Sequence, residues 1–145
     1  MTALRVSKRL LEVAMNMTTS TQQVGGITVV NISGRIVLGE ENAALRELFR
    51  DLLSKGHRQI LLNLGNVNYI DSTGVGTLVG ALTSVKKENG ELKLLNLTNK
   101  VRDIMRITKL HTVFDILKYE DEGVKSFGQS RRQRPDRMML LGNRV

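Results

Sequence analysis

The sequence predicts a single α/β domain with a mixed, largely parallel sheet, helices packed on that sheet, and the element order β-β-α-β-α-β-α-β-α. Short apolar runs alternate along the chain with longer segments whose apolar residues recur at helical spacing, as expected for strands connected by helices. The chain of 145 residues, 41% of them hydrophobic, is also long enough to bury one core.

The first element is a predicted hairpin. A polar stretch at 18–24 leads into the turn pair Gly25-Gly26, and the β-rich run 27–32 follows. Paired glycines between two such runs are typical of a tight turn between antiparallel strands.

The segment 40–54 is a predicted amphipathic helix, preceded by a loop that Gly34 and Gly39 are expected to bracket. Its early acidic residues and the glycine at 56 mark a helix start and stop. Its apolar residues fall on one face: Leu45, Leu48, Phe49, Leu52 and Leu53.

The remainder of the chain alternates strands and helices. The almost unbroken apolar run at 60–64 predicts a strand covered on both faces, as in a parallel sheet. Further elements are predicted as a helix after Ser72, a strand at 92–97, a helix at 101–108, a strand at 113–117 and a short helix at 121–127.

The net charge of +8 is concentrated at the two ends of the chain. Residues 1–23 carry three basic residues and one acidic residue, and residues 125–145 carry six and one, so the centre is nearly neutral. With few aromatic residues to stack on bases, this distribution predicts no direct nucleic-acid contact.

These charge patterns also suggest the domain boundaries. We predict an N-terminal extension at 1–17, the folded domain at 18–127 and a basic, disordered tail at 128–145.

Several function classes are excluded or disfavoured by composition. The chain has no cysteine and two histidines, which argues against disulfides, redox chemistry and a metal site, and no cofactor is predicted. No apolar run reaches the ~20 residues that cross a bilayer, and the N-terminus makes a poor signal peptide, so a cytoplasmic protein without membrane contact is expected.

The most informative motif follows the apolar strand at 60–64. It reads Tyr69-Ile70, then Asp71-Ser72-Thr73-Gly74-Val75-Gly76, and it opens the next helix. Here a carboxylate and two hydroxyls lie where unpaired backbone N–H groups and the helix dipole favour anions. The glycines lower helix propensity, so we expect close approach of a partner backbone to account for them.

Three other interpretations apply to the same residues. Asp, Ser and Thr at this position are most often only helix caps. A hydrolytic triad on Ser72 is disfavoured because the chain lacks the Gly-x-Ser-x-Gly elbow. A dinucleotide loop is disfavoured because Gly80 falls one residue late after Gly74 and Gly76, and Gly80 is interpreted as a helix-packing position.

Over roughly 18–127, this order of elements and this motif resemble STAS domains of the anti-sigma-factor antagonist family. The resemblance implies a STAS-like fold and phosphorylation of Ser72 by a serine kinase that is also the anti-sigma factor. It further implies a partner-binding surface at Gly34, Arg35, Asp71, Thr73, Gly74, Val75 and Gly76.

The resemblance implies a partner switch and not an enzyme. Unmodified protein would bind the kinase and free the sigma factor, phosphorylation would release the kinase, and a phosphatase acting on phosphorylated Ser72 would reset the state. The kinase would supply nucleotide and magnesium. Two alternatives stay open: weak homo-oligomerisation, and a STAS scaffold or accessory subunit of a signalling or transport complex without Ser72 phosphorylation.

One position departs from the family pattern. Many such antagonists carry an acidic residue shortly after the loop glycine, whereas this chain continues from Gly34 with Arg35, Ile36 and Val37. The departure affects the expected partner contacts and leaves the predicted fold unchanged.

Overall fold

The computed structural model describes residues 17–127 of the chain. The elements follow the predicted order and are β1 (Met17–Val24), β2 (Ile27–Ile36), α1 (Glu40–Ser54), β3 (Gln59–Ile70), α2 (Ser72–Lys87), β4 (Glu91–Leu95), α3 (Asn99–Ile107), a 3₁₀ turn (Leu110–Thr112), β5 (Asp115–Leu117) and a last helix, α4, at 120–127.

The five strands form one sheet in the order β1-β2-β3-β4-β5. β1 is antiparallel to β2, and the other neighbours are parallel. The mixed, largely parallel sheet that the sequence predicts is therefore confirmed. Because β2, β3 and β4 run in the same direction, their carboxyl ends meet at one edge of the sheet.

β2 and β3 are longer than predicted. Gly34, expected in a loop, lies inside β2, and β3 continues beyond the predicted run at 60–64 as far as Ile70. The parallel pairing of β2 with β3 continues as far as Ile36 opposite Ile70. Two register shifts interrupt it, the first between Asn31 and Ser33 and the second between Gly34 and Arg35. Gly34 sits at the second shift with φ 103, a conformation that favours glycine.

One residue of the predicted N-terminal extension lies within the described part of the chain. Met17, placed by the sequence in the N-terminal extension, is the first residue of β1, is 1% exposed and pairs with Gly34. The rest of the predicted extension, at 1–16, and the predicted tail at 128–145 lie outside the described residues.

Apolar residues cover both faces of the central strands, as predicted for the run at 60–64. The main core lies between one face of the sheet and α1, α2 and α3, and it includes Val30, Leu62, Leu64, Leu94, Leu45, Phe49, Leu78, Leu82 and Met105. A smaller cluster on the other face packs against α4 through Ile27, Val29, Leu61, Leu95 and Phe127.

This arrangement brings three helix N-termini to the same edge of the sheet. α1, α2 and α3 each begin within a few residues of the carboxyl end of the preceding strand. Each helix N-terminus presents backbone N–H groups and a partial positive charge, so this edge favours negative groups. Every helix within residues 17–127 is too short or too polar to span a bilayer.

Candidate functional site

The first turn of α2 is capped by Asp71. Its backbone is extended, with φ −98 and ψ −178, and its Oδ1 accepts a hydrogen bond of 2.9 Å from the Gly74 N–H. The backbone carbonyl of Asp71 accepts from the Val75 N–H at 2.9 Å. The predicted helix cap is therefore present, but the capping side chain is Asp71 and not Ser72.

The other carboxylate oxygen of Asp71 holds the turn before α1. Oδ2 accepts a hydrogen bond of 2.9 Å from the backbone N–H of Leu38, and the Asp71 N–H donates to the Ile36 carbonyl at 3.2 Å. Through its side chain and its backbone N–H, Asp71 thus joins the end of β2, the following turn and the start of α2. The hydrogen bond from the Gly74 N–H has the larger effect on the pKa of Asp71, and the one from the Leu38 N–H comes second. Both lower the pKa because they favour the ionised carboxylate.

Ser72 is the first residue of α2, and its side chain is exposed. Its hydroxyl makes no hydrogen bond with any of the residues 17–127. Thr73 is only partly exposed and lines a groove between α1 and α2. Of the two adjacent hydroxyls, that of Ser72 is therefore the more accessible to a modifying enzyme.

Gly74 is required by the packing of this chain. It is buried, and a Cβ added there would lie 2.5 Å from the Ile36 carbonyl oxygen and 2.8 Å from the Ile70 Cγ1. The backbone that approaches Gly74 closely is therefore that of β2 in the same chain, and the place of Gly74 in the partner-binding surface stays a prediction. Val75 is partly buried against the main core.

Gly76 differs from Gly74 in its surroundings. It is exposed, and a Cβ built on it would meet no atom within 4 Å. Gly76 therefore has the open surface expected of a contact residue, although both glycines belong to the same short motif.

Gly34 and Arg35 lie on β2 just before the turn that Asp71 holds. Gly34 fills the irregular position in the strand, and Arg35 is exposed with its guanidinium carbon 5.1 Å from the centroid of the Tyr69 ring. Where many family members carry an acidic residue after this glycine, the described chain thus presents a cation stacked on an aromatic ring.

Leu38 is a candidate residue that the sequence analysis missed. Its side chain is 72% exposed at the turn that Asp71 holds, so an apolar group lies on the surface beside the α2 N-terminus. The available signal was an apolar residue directly before Gly39, in a turn that follows a strand. We call Leu38, Ser72, Thr73 and Gly76 together the Ser72 surface.

Within residues 17–127, no three histidine, aspartate or glutamate side chains come together in a way that could hold a metal ion.

The two motif glycines should respond oppositely to alanine. Gly74→Ala should lower the free energy of unfolding by about 1–3 kcal/mol, because the new Cβ overlaps the Ile36 carbonyl. Gly76→Ala should raise it by about 0.4–1 kcal/mol, because its Cβ enters open space and alanine favours the helix. Urea unfolding measures both, and a Gly74→Ala variant as stable as wild type would contradict the packing described here.

The Asp71 carboxylate should contribute pH-dependent stability. Its pKa in the folded protein lies below the ordinary value of 3.8, so its contribution is present above that value and is lost as the pH falls through the folded pKa. Asp71→Ala should cost about 0.5–2 kcal/mol near neutral pH, by loss of the cap.

Urea unfolding measures the difference in free energy of unfolding between Asp71→Ala and wild type. This difference should be smaller below the ordinary pKa of 3.8 than it is near neutral pH. Asp103→Ala, on the surface of α3, controls for the change in net charge. A difference in free energy of unfolding that stays constant from neutral to strongly acidic pH would show that the charge of Asp71 does not strengthen its hydrogen bonds with Gly74 and Leu38.

Comparisons with known proteins agree with this geometry. The STAS domain family model matches residues 18–123. The chain is 35% identical over 111 residues to the anti-sigma-B factor antagonist of Bacillus subtilis (strain 168), covering 77% of this chain and 100% of the relative.

Two solved structures are similar in fold. An anti-sigma factor antagonist from Mycobacterium paratuberculosis has a TM-score of 0.67 at 20% identity and covers 77% of this chain and 94% of its own. The phosphorylated form of the Bacillus cell fate determinant SpoIIAA has a TM-score of 0.61 at 18% identity and covers 75% of this chain and 97% of its own. The solved structures agree in fold, and the family model together with the Bacillus subtilis relative places this chain in the STAS domain family, among the anti-sigma-factor antagonists.

Proposed function

We propose that this protein is a cytoplasmic partner switch controlled by phosphorylation of Ser72. Unmodified protein binds an anti-sigma factor that is also a serine kinase, which frees the sigma factor. Phosphorylated protein releases the kinase. The observation that carries the proposal is the Ser72 hydroxyl, which is exposed at the start of α2 and takes no part in the cap.

The position suits a phosphoacceptor. A kinase must bring the hydroxyl to the γ-phosphate of its nucleotide, and an exposed side chain at the edge of the domain allows this without unfolding. The partial positive charge of the α2 N-terminus stabilises a negative group by about 0.3–1 kcal/mol at an exposed site. The better exposure of Ser72 supports it over Thr73 as the acceptor.

Phosphorylation should change the surface more than the fold. The modification adds about −1.5 to −2 charges directly beside the Asp71 carboxylate. Because Asp71 caps α2 through its own oxygen, the first turn does not depend on the Ser72 hydroxyl. The added charge therefore acts mainly on whatever covers the Ser72 surface.

Small energies suffice for switching. Each loss of about 1.4 kcal/mol weakens binding tenfold, and an unpaired charge enclosed in an interface costs more than this. Leu38 adds a large exposed apolar side chain to the same surface, where it can enter a pocket of the kinase. Attraction from Leu38 and repulsion from the phosphate would then operate side by side.

In this proposal the protein is a substrate and not an enzyme. The kinase supplies ATP and magnesium, and a separate phosphatase removes the phosphate from Ser72. The name of the Bacillus subtilis relative, an anti-sigma-B factor antagonist, supports an anti-sigma factor as the partner class.

Phosphate mapping tests the proposal. The anti-sigma kinase purified from the same cell, incubated with ATP, should add one phosphate to the wild-type chain and to Thr73→Val, and none to Ser72→Ala. Intact-mass analysis and peptide mapping locate the group, and the phosphorylated chain should no longer bind the kinase.

Two results would contradict the proposal. Phosphate found on Thr73 and not on Ser72 would show that the Thr73 hydroxyl is the phosphoacceptor. A chain that is never phosphorylated, and that is instead recovered in a stable signalling or transport complex, would favour a STAS scaffold.

A further inference from the structure

A groove of about 560 Å³ runs between α1 and α2. On the α2 side it extends from Thr73, next to Ser72, to Ser84, and on the α1 side from Asn42 to Leu53. A buried hydrogen bond of 2.5 Å from the Thr77 hydroxyl to the Asn42 side-chain oxygen joins the two helices. The groove is therefore a fixed feature of the domain and is continuous with the Ser72 surface.

The α2 side of this groove lacks side chains at two successive turns. Gly76 and Gly80 are exposed, and a Cβ at either position would meet no atom within 4 Å. The interpretation of Gly80 as a helix-packing position is therefore wrong, since nothing in the described chain packs on it. Glycine lowers helix stability relative to alanine, but here it leaves room for another backbone to approach.

The α1 side of the groove is positively charged. Arg46 and Arg50 lie one helical turn apart, and none of the described residues that line the groove is acidic. Arg46 forms no ion pair with the residues at 17–127. The Arg50 guanidinium lies 3.9 Å from Glu47, but both side chains are mostly exposed, and such pairs contribute little.

We propose that this groove receives an acidic α-helical segment of the anti-sigma kinase, an inference that rests on the proposed function. A third helix can pack between α1 and α2 because the missing side chains at Gly76 and Gly80 allow close approach. Carboxylates four residues apart on that helix would match the spacing of Arg46 and Arg50. Apolar contact would come from Phe49 and Leu53 in the same groove.

The position of the groove explains how one phosphate could act on this segment. Thr73 lines the end of the groove nearest Ser72, so a partner helix that lies in the groove passes beside Ser72. Phosphorylation would add negative charge next to an acidic segment, and like charges in an interface repel. The attraction at the two arginines and the repulsion at Ser72 would thus act on the same element of the partner.

Two substitutions test the inference in different ways. Gly80→Leu places bulk in the groove, and Arg46→Glu reverses its charge. The matched controls are Thr83→Leu, an exposed position on α2 that does not line the groove, and Arg58→Glu, at the opposite end of β3 from Ser72. Calorimetric unfolding verifies that each variant folds.

Binding of the unphosphorylated variants to the purified anti-sigma kinase is measured by isothermal titration calorimetry. Gly80→Leu and Arg46→Glu should each weaken binding at least about tenfold, while each control stays within about threefold of wild type. The loss for Arg46→Glu should also diminish at high salt, because screening reduces charge interactions.

The outcomes separate this inference from the proposed function. If both groove variants bind like wild type while phosphorylation of Ser72 still abolishes binding, the groove proposal is wrong and the switch stands. Loss in Arg46→Glu alone would indicate long-range attraction without docking in the groove, and loss in Gly80→Leu alone would exclude an acidic occupant. Either result overturns the inference, and a kinase that never binds the wild-type chain overturns both proposals.

Discussion

The geometry of the site depends on one carboxylate. Asp71 accepts hydrogen bonds from Gly74 in α2 and from Leu38 in the turn before α1, and its own N–H reaches the carbonyl of Ile36 at the end of β2. The end of β2 with its following turn and the start of α2, 33 residues apart from Leu38 to Asp71, are thereby held together at one edge of the sheet. Ser72, the next residue, is presented on the surface because its neighbour performs the capping.

Because Asp71 caps α2 and Ser72 does not, a charge added at Ser72 can control binding without changing the fold. The ionised Asp71 carboxylate is stabilised by two backbone N–H groups, which lower its pKa. The site therefore already carries a negative charge before any modification. A phosphate on Ser72 adds charge beside it, at a helix end that tolerates anions. In the proposed mechanism the added charge is therefore felt chiefly by the kinase that covers the surface.

The sequence predicts much of the fold but only part of the site, and the difference has a physical basis. The helix at 40–54 was predicted with its observed limits because its apolar residues repeat within the segment itself. The extension of β2 through Gly34 depends on pairing with β3, a contact between distant residues. Likewise, only three-dimensional packing distinguishes the buried Gly74 from the open Gly76, or reveals that Leu38 is held by Asp71.

In the proposed switch Ser72 controls partner binding and not folding, and the Ser72→Asp variant tests this role most directly. Calorimetric unfolding of this variant and its affinity for the purified anti-sigma kinase are measured alongside wild type and Ser72→Ala. Because Asp71 provides the cap, all three proteins should unfold at similar temperatures, whereas Ser72→Asp alone should bind the kinase at least about tenfold more weakly. Unchanged stability together with unchanged kinase affinity in Ser72→Asp would contradict the account.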